Sequence, residues 1–377
     1  MKRIIVLGGG MVGSAMCADL SDNFDITCAD YSIDVLDALG SKLKIDTRLC
    51  DFSNQEKVRE VIAPFDLVIG AVPGFLGFEV LKTVIASGKN CVDISFFPED
   101  AFLLDELARK NNVTAVVDCG VAPGMCNMIA GYHYKRMKMK GYECLVGGLP
   151  VNRIKPYEYK APFSPVDVIE EYTRPARYIA GGKPVTKEAL SEPELINFEE
   201  VGMLESFNTD GLRSLAHTMP DVPDMKEKTL RYPGHISLMK VFRDSGFFSK
   251  EKIKIKDMDV SPLEVTSKLL FREWKYLPGE EDFTIMRVTV EGTEKERPVK
   301  YVYSLFDRYD RETGLMSMAR TTGFTATAVV RLVIENIYSR KGISPPEYVG
   351  EDEACFNHVI KYLGERNVFY KKEFLNG

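Results

Sequence analysis

Gly8-Gly9-Gly10-Met11-Val12-Gly13 sets glycines at the first, third and sixth positions of a short segment that follows an apolar run. Between a strand and a helix, that spacing suits a dinucleotide. The first glycine permits the tight turn, the second lets backbone approach a pyrophosphate, and the third lets the helix pack on the strand. Amides at the helix start then face the phosphates. Asp30 ends the next apolar run, where a carboxylate accepts hydrogen bonds from an adenosine ribose and repels a 2′-phosphate. Tyr31 and Ser32 follow it, and no arginine does, so the expected cofactor is NAD. Asp51 and Phe52 at the third run's end are expected to flank adenine, and Ala71, Val72 and Pro73 at the fourth run's end to flank the nicotinamide-side ribose. Ordinary strand ends remain the alternative for these five. Asp118 and Cys119 end the sixth run, on the side where open parallel sheets bind ligands, and should approach the nicotinamide. A turn cap and a packed thiol are the alternatives there.

These residues need a parallel sheet to hold them. Strands are expected over 3–7, 25–29, 44–50, 66–72, 90–94 and 114–118, with helices near 12–20, 33–39, 54–62, 77–87 and 99–111, the alternation of a doubly wound α/β domain. Ser53 with Glu56 reads as a capping box for the third helix, and Gly88 as the stop of the fourth. After Gly124 the rhythm changes to longer polar connections. Alternation over 283–290 and 299–306, joined by the charged stretch 291–298, predicts an antiparallel pair. The second domain is therefore expected to be α+β with a mainly antiparallel sheet. Helical periodicity returns over 325–338, where Ala326, Val329, Val330, Val333 and Ile337 form a stripe that must be buried.

Composition narrows the partners. The 377 residues allow about two domains at roughly 150 residues each. Formal charge is −6 from 49 basic and 55 acidic residues, and no long basic block occurs, which argues against nucleic acid. The basic stretch Tyr132–Lys140 reads as a solvated helix face. Eight cysteines include no Cys-x-x-Cys pair, and no His-x-x-x-His completes a metal set, so no metal is expected. Cysteines inside apolar runs suit a reducing cytoplasm. No run of 18 apolar residues predicts a membrane span.

Asp118-Cys119-Gly120-Val121-Ala122-Pro123-Gly124-Met125 resembles the hinge of the saccharopine dehydrogenase family. Further segments resemble it in order: 147–150, 158–159 through 171–176, 204–209, 228–235 and 318–321. The likeness spans nearly the whole chain and is greatest to members that oxidise the ε-carbon of lysine. It implies an NAD-dependent amine dehydrogenase, a homodimer, a Rossmann domain over 1–124, a catalytic domain over 125–315, and a segment 316–377 returning to the Rossmann domain. Where saccharopine reductases carry Asn-Arg-Asp-Ser, this chain reads Asn208-Thr209-Asp210-Gly211, which counts against saccharopine as substrate.

Amine oxidation requires a proton acceptor and an anchor for the substrate carboxylate. Arg231 offers a planar fork for a carboxylate, and an ion pair within the domain is its alternative. His235 titrates near neutrality and is a candidate proton acceptor, or a satisfied structural histidine. Glu158, Asn208 and Thr209 are candidates to bind the substrate's amines, or a solvated sheet edge. A saccharopine reductase and a non-catalytic NAD-binding sensor are the competing functions.

Overall fold

The computed structural model describes residues 1–376. It contains two compact units, one of residues 1–136 and 319–369, the other of 137–318 with the segment from Tyr370 onward. In the first, strands β1 (Arg3–Leu7), β2 (Asp25–Asp30), β3 (Asp46–Leu49), β4 (Leu67–Gly70), β5 (Asn90–Asp93) and β6 (Thr114–Val116) alternate with helices. These are α1 (Met11–Leu20), α2 (Ile33–Leu43), α3 (Gln55–Ile62), α4 (Gly74–Ala86) and α5 (Asp105–Lys110), and α6 (Met125–Tyr134) follows the last strand. A 3-10 turn over Ala101–Leu104 replaces the first half of the helix expected over 99–111.

The second unit runs β7 (Lys138–Pro150), α7 (Pro165–Thr173), β8 (Ala176–Ala180), β9 (Lys183–Lys187), β10 (Glu194–Phe198), β11 (Gly202–Asn208), α8 (Leu215–Thr218), β12 (Asp224–Arg231) and α9 (His235–Asp244). It continues through β13 (Ile253–Ile255), β14 (Met258–Val260), α10 (Pro262–Trp274), β15 (Asp282–Glu294) and β16 (Arg297–Arg308). Helix α11 (Ser317–Ile334), β17 (Gly342–Ser344), α12 (Pro346–Glu351) and α13 (Glu353–Gly364) lead back into the first unit, and β18 (Tyr370–Asn376) ends in the second.

The first sheet has the order β17-β6-β5-β4-β1-β2-β3, and every pair in it is parallel. Strand succession reverses between β1 and β4, the switch point at which such sheets bind ligands beyond their carboxyl ends. Buried on both faces, β1 is a continuous apolar run, as parallel strands are. Seven strands stand where six were expected. Gly342-Ile343-Ser344 pairs with β6 but is too short to read as a strand from its own pattern.

Helix α11 belongs to this unit from Ala319 onward. Ala326, Val329, Val330 and Val333 are buried, whereas Ile337 lies past the helix end and is 48% exposed, so it leaves the expected stripe. Asp19 of α1 ties the late segment down. Its carboxylate accepts from Thr327 Oγ1, from Arg366 Nε and, at 2.6 Å, from Tyr362 Oη.

Other corrections are local. Asn54, not Ser53, caps α3, its side-chain oxygen accepting from the amides of Glu56 and Lys57. Ser53 instead donates to Asp51 at 2.6 Å. The first boundary falls after Arg136 rather than at 124, because α6 stays with the first unit. The returning segment is not continuous to 377, since β18 pairs with β16 in the second sheet.

The second sheet runs β10-β11-β12-β7-β15-β16-β18, with β8 beside β12 and β9 beside β8. Only β12 with β7 is parallel, so the sheet is mainly antiparallel as expected. The hairpin β15–β16 is tighter than the charged stretch 291–298 suggested. Only Lys295 and Glu296 form its turn, both with positive φ, the two-residue connection whose twist matches the strands. Trp274, Tyr172, Phe207 and Leu230 centre this unit's core, each fully buried and each worth about 1.5–3 kcal/mol of apolar transfer.

Candidate active site

The glycine turn is closed by Asp30. The backbone amide of Gly9 donates to Asp30 Oδ2 at 2.7 Å, and that of Ser32 donates to Oδ1 at 2.9 Å, so the buried carboxylate lies against the turn. Three glycines serve for different reasons. Gly8 has φ +111°, and a Cβ there would lie 2.3 Å from the Ala71 carbonyl oxygen. At Gly13 a Cβ would lie 1.9 Å from the Gly8 carbonyl oxygen, which forces the helix close to the turn. Gly10 has ordinary extended φ and no protein atom within 4 Å of its hypothetical Cβ. The fold does not require glycine at that position, but a backbone that must admit a pyrophosphate does. The residues present therefore fit a dinucleotide.

The flanking positions divide. Asp51 is exposed and held by Ser53, whose hydroxyl and amide keep its carboxyl below the usual range. Phe52 and Val72 are buried in the first unit's core, so neither is a free wall for adenine or ribose. Ala71 and Pro73 are half-buried, and Pro73 stands at the start of α4.

Past β6, Asp118 is buried with φ +52°, and its carbonyl accepts from the Gly120 amide at 3.1 Å. Cys119 is fully buried. Desolvation, with the Asp118 and Asp93 carboxylates beside it, pushes its thiol far up, so it stays protonated and cannot accept a proton. A buried, protonated thiol matches the packed alternative given for this residue.

In the second unit, Arg231, Tyr172, His235 and Glu171 form one buried network. Arg231, 2% exposed, donates from Nη2 to Glu171 Oε2 at 2.5 Å, from Nε to Tyr172 Oη at 3.1 Å, and from Nη1 to the Leu230 carbonyl at 3.0 Å. Its guanidinium carbon stands 4.5 Å from the Tyr159 ring centroid. The ion pair and the phenols hold Arg231 charged, while burial pushes the Glu171 carboxyl up against the pull of Arg231. Three of the five N–H donors of this guanidinium are thus held by the chain itself, with Glu171 among their acceptors.

His235 is not a proton acceptor. Its Nδ1 lies 2.9 Å from the Tyr157 carbonyl, which can only accept, so Nδ1 carries the hydrogen and Nε2 accepts from Tyr172 Oη at 3.0 Å. Burial and the neighbouring Arg231 push its pKa down to about 3. Donation runs from Arg231 to Tyr172 to His235 to the Tyr157 carbonyl.

The remaining candidates are held by the chain itself. Glu158 accepts from Arg153 Nη2 at 2.9 Å. Asn208 Nδ2 donates to Glu192 Oε2 at 3.0 Å and to Ser191 Oγ at 3.2 Å. Thr209 and Thr229 hydroxyls lie 3.0 Å apart.

Sequence reasoning missed Glu171, Tyr172 and Glu227. Glu227 sits between Lys226 and Lys228, which reads as a solvated strand. The available signal was its two-residue spacing to Thr229 and Arg231, which puts all three on one face of β12. A hollow of about 950 Å³ lies over a different part of this sheet, and no expected site residue lines it. Its charges pair with one another, Lys226 with Glu143 at 3.1 Å and Lys300 with Glu291 at 2.7 Å.

A parallel sheet in dinucleotide-binding order, with a glycine turn closed by an acid and a second unit built on a mixed sheet, defines a two-unit nucleotide-binding class. Family models agree: the saccharopine dehydrogenase NADP binding domain matches residues 4–116, and the saccharopine dehydrogenase C-terminal domain matches residues 120–368. The chain belongs to the saccharopine dehydrogenase family. Mitochondrial alpha-aminoadipic semialdehyde synthase of Bos taurus is 22% identical over 92% of this chain and 45% of its own length. Saccharopine dehydrogenase (NADP(+), L-glutamate-forming) of Pyricularia oryzae is 25% identical over 79% of this chain and 69% of its own. The chain thus spans under half the length of the first curated relatives it matches. Among solved structures, apo saccharopine dehydrogenase (L-Glu forming) from Saccharomyces cerevisiae shares the fold with TM-score 0.79 at 18% identity, covering both chains fully. Homospermidine synthase from Legionella pneumophila has TM-score 0.66 at 14% identity, covering 100% of this chain and 91% of that one.

Proposed function

We propose that the chain is an NAD-dependent dehydrogenase that oxidises the ε-carbon of L-lysine, or of a close ω-amino acid, giving the semialdehyde and ammonia. The observation that carries this reading is the Asp30 carboxylate set 2.7 Å from the Gly9 amide. Both its oxygens keep acceptor capacity for ribose hydroxyls, and its charge opposes a 2′-phosphate. Bound nicotinamide supplies the hydride acceptor, and water then hydrolyses the substrate imine.

The chain's own groups do the rest. The turn amides and Asp30 bind and orient the dinucleotide. Asp118, at the carboxyl end of the first sheet, takes the ammonium proton, since only a neutral amine releases hydride from its carbon. Arg231, oriented by Tyr172 and Glu171, supplies the cation for the substrate carboxylate. The departure at Asn208-Thr209-Asp210-Gly211 supports a primary amine over saccharopine. The same reading carries a homodimer, for which sedimentation equilibrium should give twice the chain mass; the single-chain mass contradicts it.

A second reading, NADP-dependent oxidation of saccharopine, is favoured by the names of the similar proteins and of the matching nucleotide-binding model. Purified protein assayed at alkaline pH with each cofactor against lysine, ornithine, saccharopine and diamines separates the two. Lysine turnover with NAD is expected. Turnover of saccharopine with NADP in its place overturns the proposal.

A further inference from the structure

Strands β13 and β14 form a sheet of their own and pair with no other strand among the described residues. Their register sets Ile253 opposite Val260 and Ile255 opposite Met258, so these four side chains share one face of the hairpin, while Lys254 and Asp259 oppose each other on the other face. The hairpin is therefore amphipathic. Every residue from Lys252 to Asp259 is exposed, and Ile253, Ile255 and Met258 are 50%, 46% and 63% exposed, so its own chain does not cover the apolar face. A two-stranded hairpin alone is marginal in water and needs such a face packed. The chain carries a second uncovered row directly after it. Ser261 caps α10, and on that helix Val265 and Leu269, four positions apart and both exposed, share a face distinct from the buried one of Thr266, Leu270 and Trp274.

We infer that these two surfaces are one interface between two copies of the chain, the apolar face of each hairpin seated on the Val265–Leu269 row of its partner. Charge, area and edge chemistry commit the site to a second copy. The stretch 251–259 carries three lysines and three acids, a net charge of zero, which gives neither an anionic lipid surface nor a nucleic acid an electrostatic hold. Four side chains are too few for a one-sided contact, since a stable interface takes roughly 800 Å² from each partner. A two-fold axis makes the contact reciprocal: each copy gives one hairpin and one helix row and receives both, which doubles the apolar area. The hairpin face left outside carries Lys254 and Asp259, and charge beside the short open edges opposes addition of a third chain. The assembly closes at two. The inference rests on the homodimer proposed above and names the surface that makes it.

Sedimentation equilibrium of the full chain over a range of concentrations tests this. The wild type should dimerise, and Met258→Glu and Leu269→Glu should each raise the dimer dissociation constant by at least about a hundredfold, because each sets a charge against the partner's apolar side chains. Both replaced side chains are exposed in the single chain, so the far-UV circular dichroism spectrum should stay unchanged. Lys254→Glu, on the outer face, should leave the constant within about threefold. Mixing the two glutamate variants separates this seating from any other: the mixed pair places both charges in one seat and leaves the other intact, so it should associate more tightly than either variant with itself. A wild-type dimer that Met258→Glu or Leu269→Glu fails to weaken overturns the surface and leaves the homodimer standing. A wild type that stays at the single-chain mass overturns both.

Discussion

On the proposed reading, Asp30 sets the cofactor choice through one carboxylate bound to two backbone amides. Asp30→Ala removes both the acceptor for ribose hydroxyls and the charge opposing a phosphate, so the ratio of NADP to NAD dissociation constants should fall by about tenfold, roughly one charge-assisted hydrogen bond. Fluorescence titration with both reduced cofactors measures it; an unchanged ratio means Asp30 only braces the turn. Asp118→Asn should lower kcat/KM for lysine by about tenfold or more and leave cofactor affinity unchanged, because the phosphates lie at the glycine turn. A lower melting temperature with full turnover per folded molecule would make it a turn residue alone. At Arg231, Lys cannot reproduce the three directions in which the guanidinium donates. Arg231→Lys should raise KM for lysine while sparing cadaverine, which lacks a carboxylate. Equal losses on both substrates would show that Arg231 serves only its own network.

At the scale of elements, Asp19 is the joint between α1 and the late helices, since Thr327, Tyr362 and Arg366 all bind its carboxylate. Asp19→Ala leaves the Arg366 cation partly buried without its partner and should destabilise by about 3 kcal/mol. Chemical denaturation that shows under about 1 kcal/mol would refute the joint. The elements that read clearly in the sequence are those whose pattern is local. Strand β1 was legible to its end residues because a run buried on both faces is continuous, and the glycine turn because its spacing is itself the function. What stayed hidden depends on partners far along the chain. Strand β17 is a strand only because β6 lies beside it, and His235 is neutral because burial and the neighbouring Arg231 disfavour its charged form. Arg231 was singled out by residue type, but its engagement by Glu171 was invisible without the packing of α7 on β12.

For the whole molecule, two buried groups set opposing limits on stability. His235 has a folded pKa near 3, below its ordinary value near 6.5, so the stability it confers is present above that ordinary value and is lost as pH falls below it. Glu227, raised from its ordinary value near 4.5 to about 8, acts the other way: stability is lost as pH rises between those two values. Glu227→Gln should therefore melt progressively higher than wild type as pH is raised from about 5 to about 9, by a difference of a few kcal/mol at the alkaline end. A constant offset across that range would show that the carboxyl does not ionise there.

Lysine oxidation at its ε-carbon is the central claim, and isotope transfer tests it most directly. L-Lysine bearing two deuterium atoms on the ε-carbon, incubated with the protein and NAD at alkaline pH, should give reduced cofactor carrying one deuterium and a semialdehyde that keeps the other. Reduced cofactor without deuterium, or no reduction of NAD by this substrate, would contradict it.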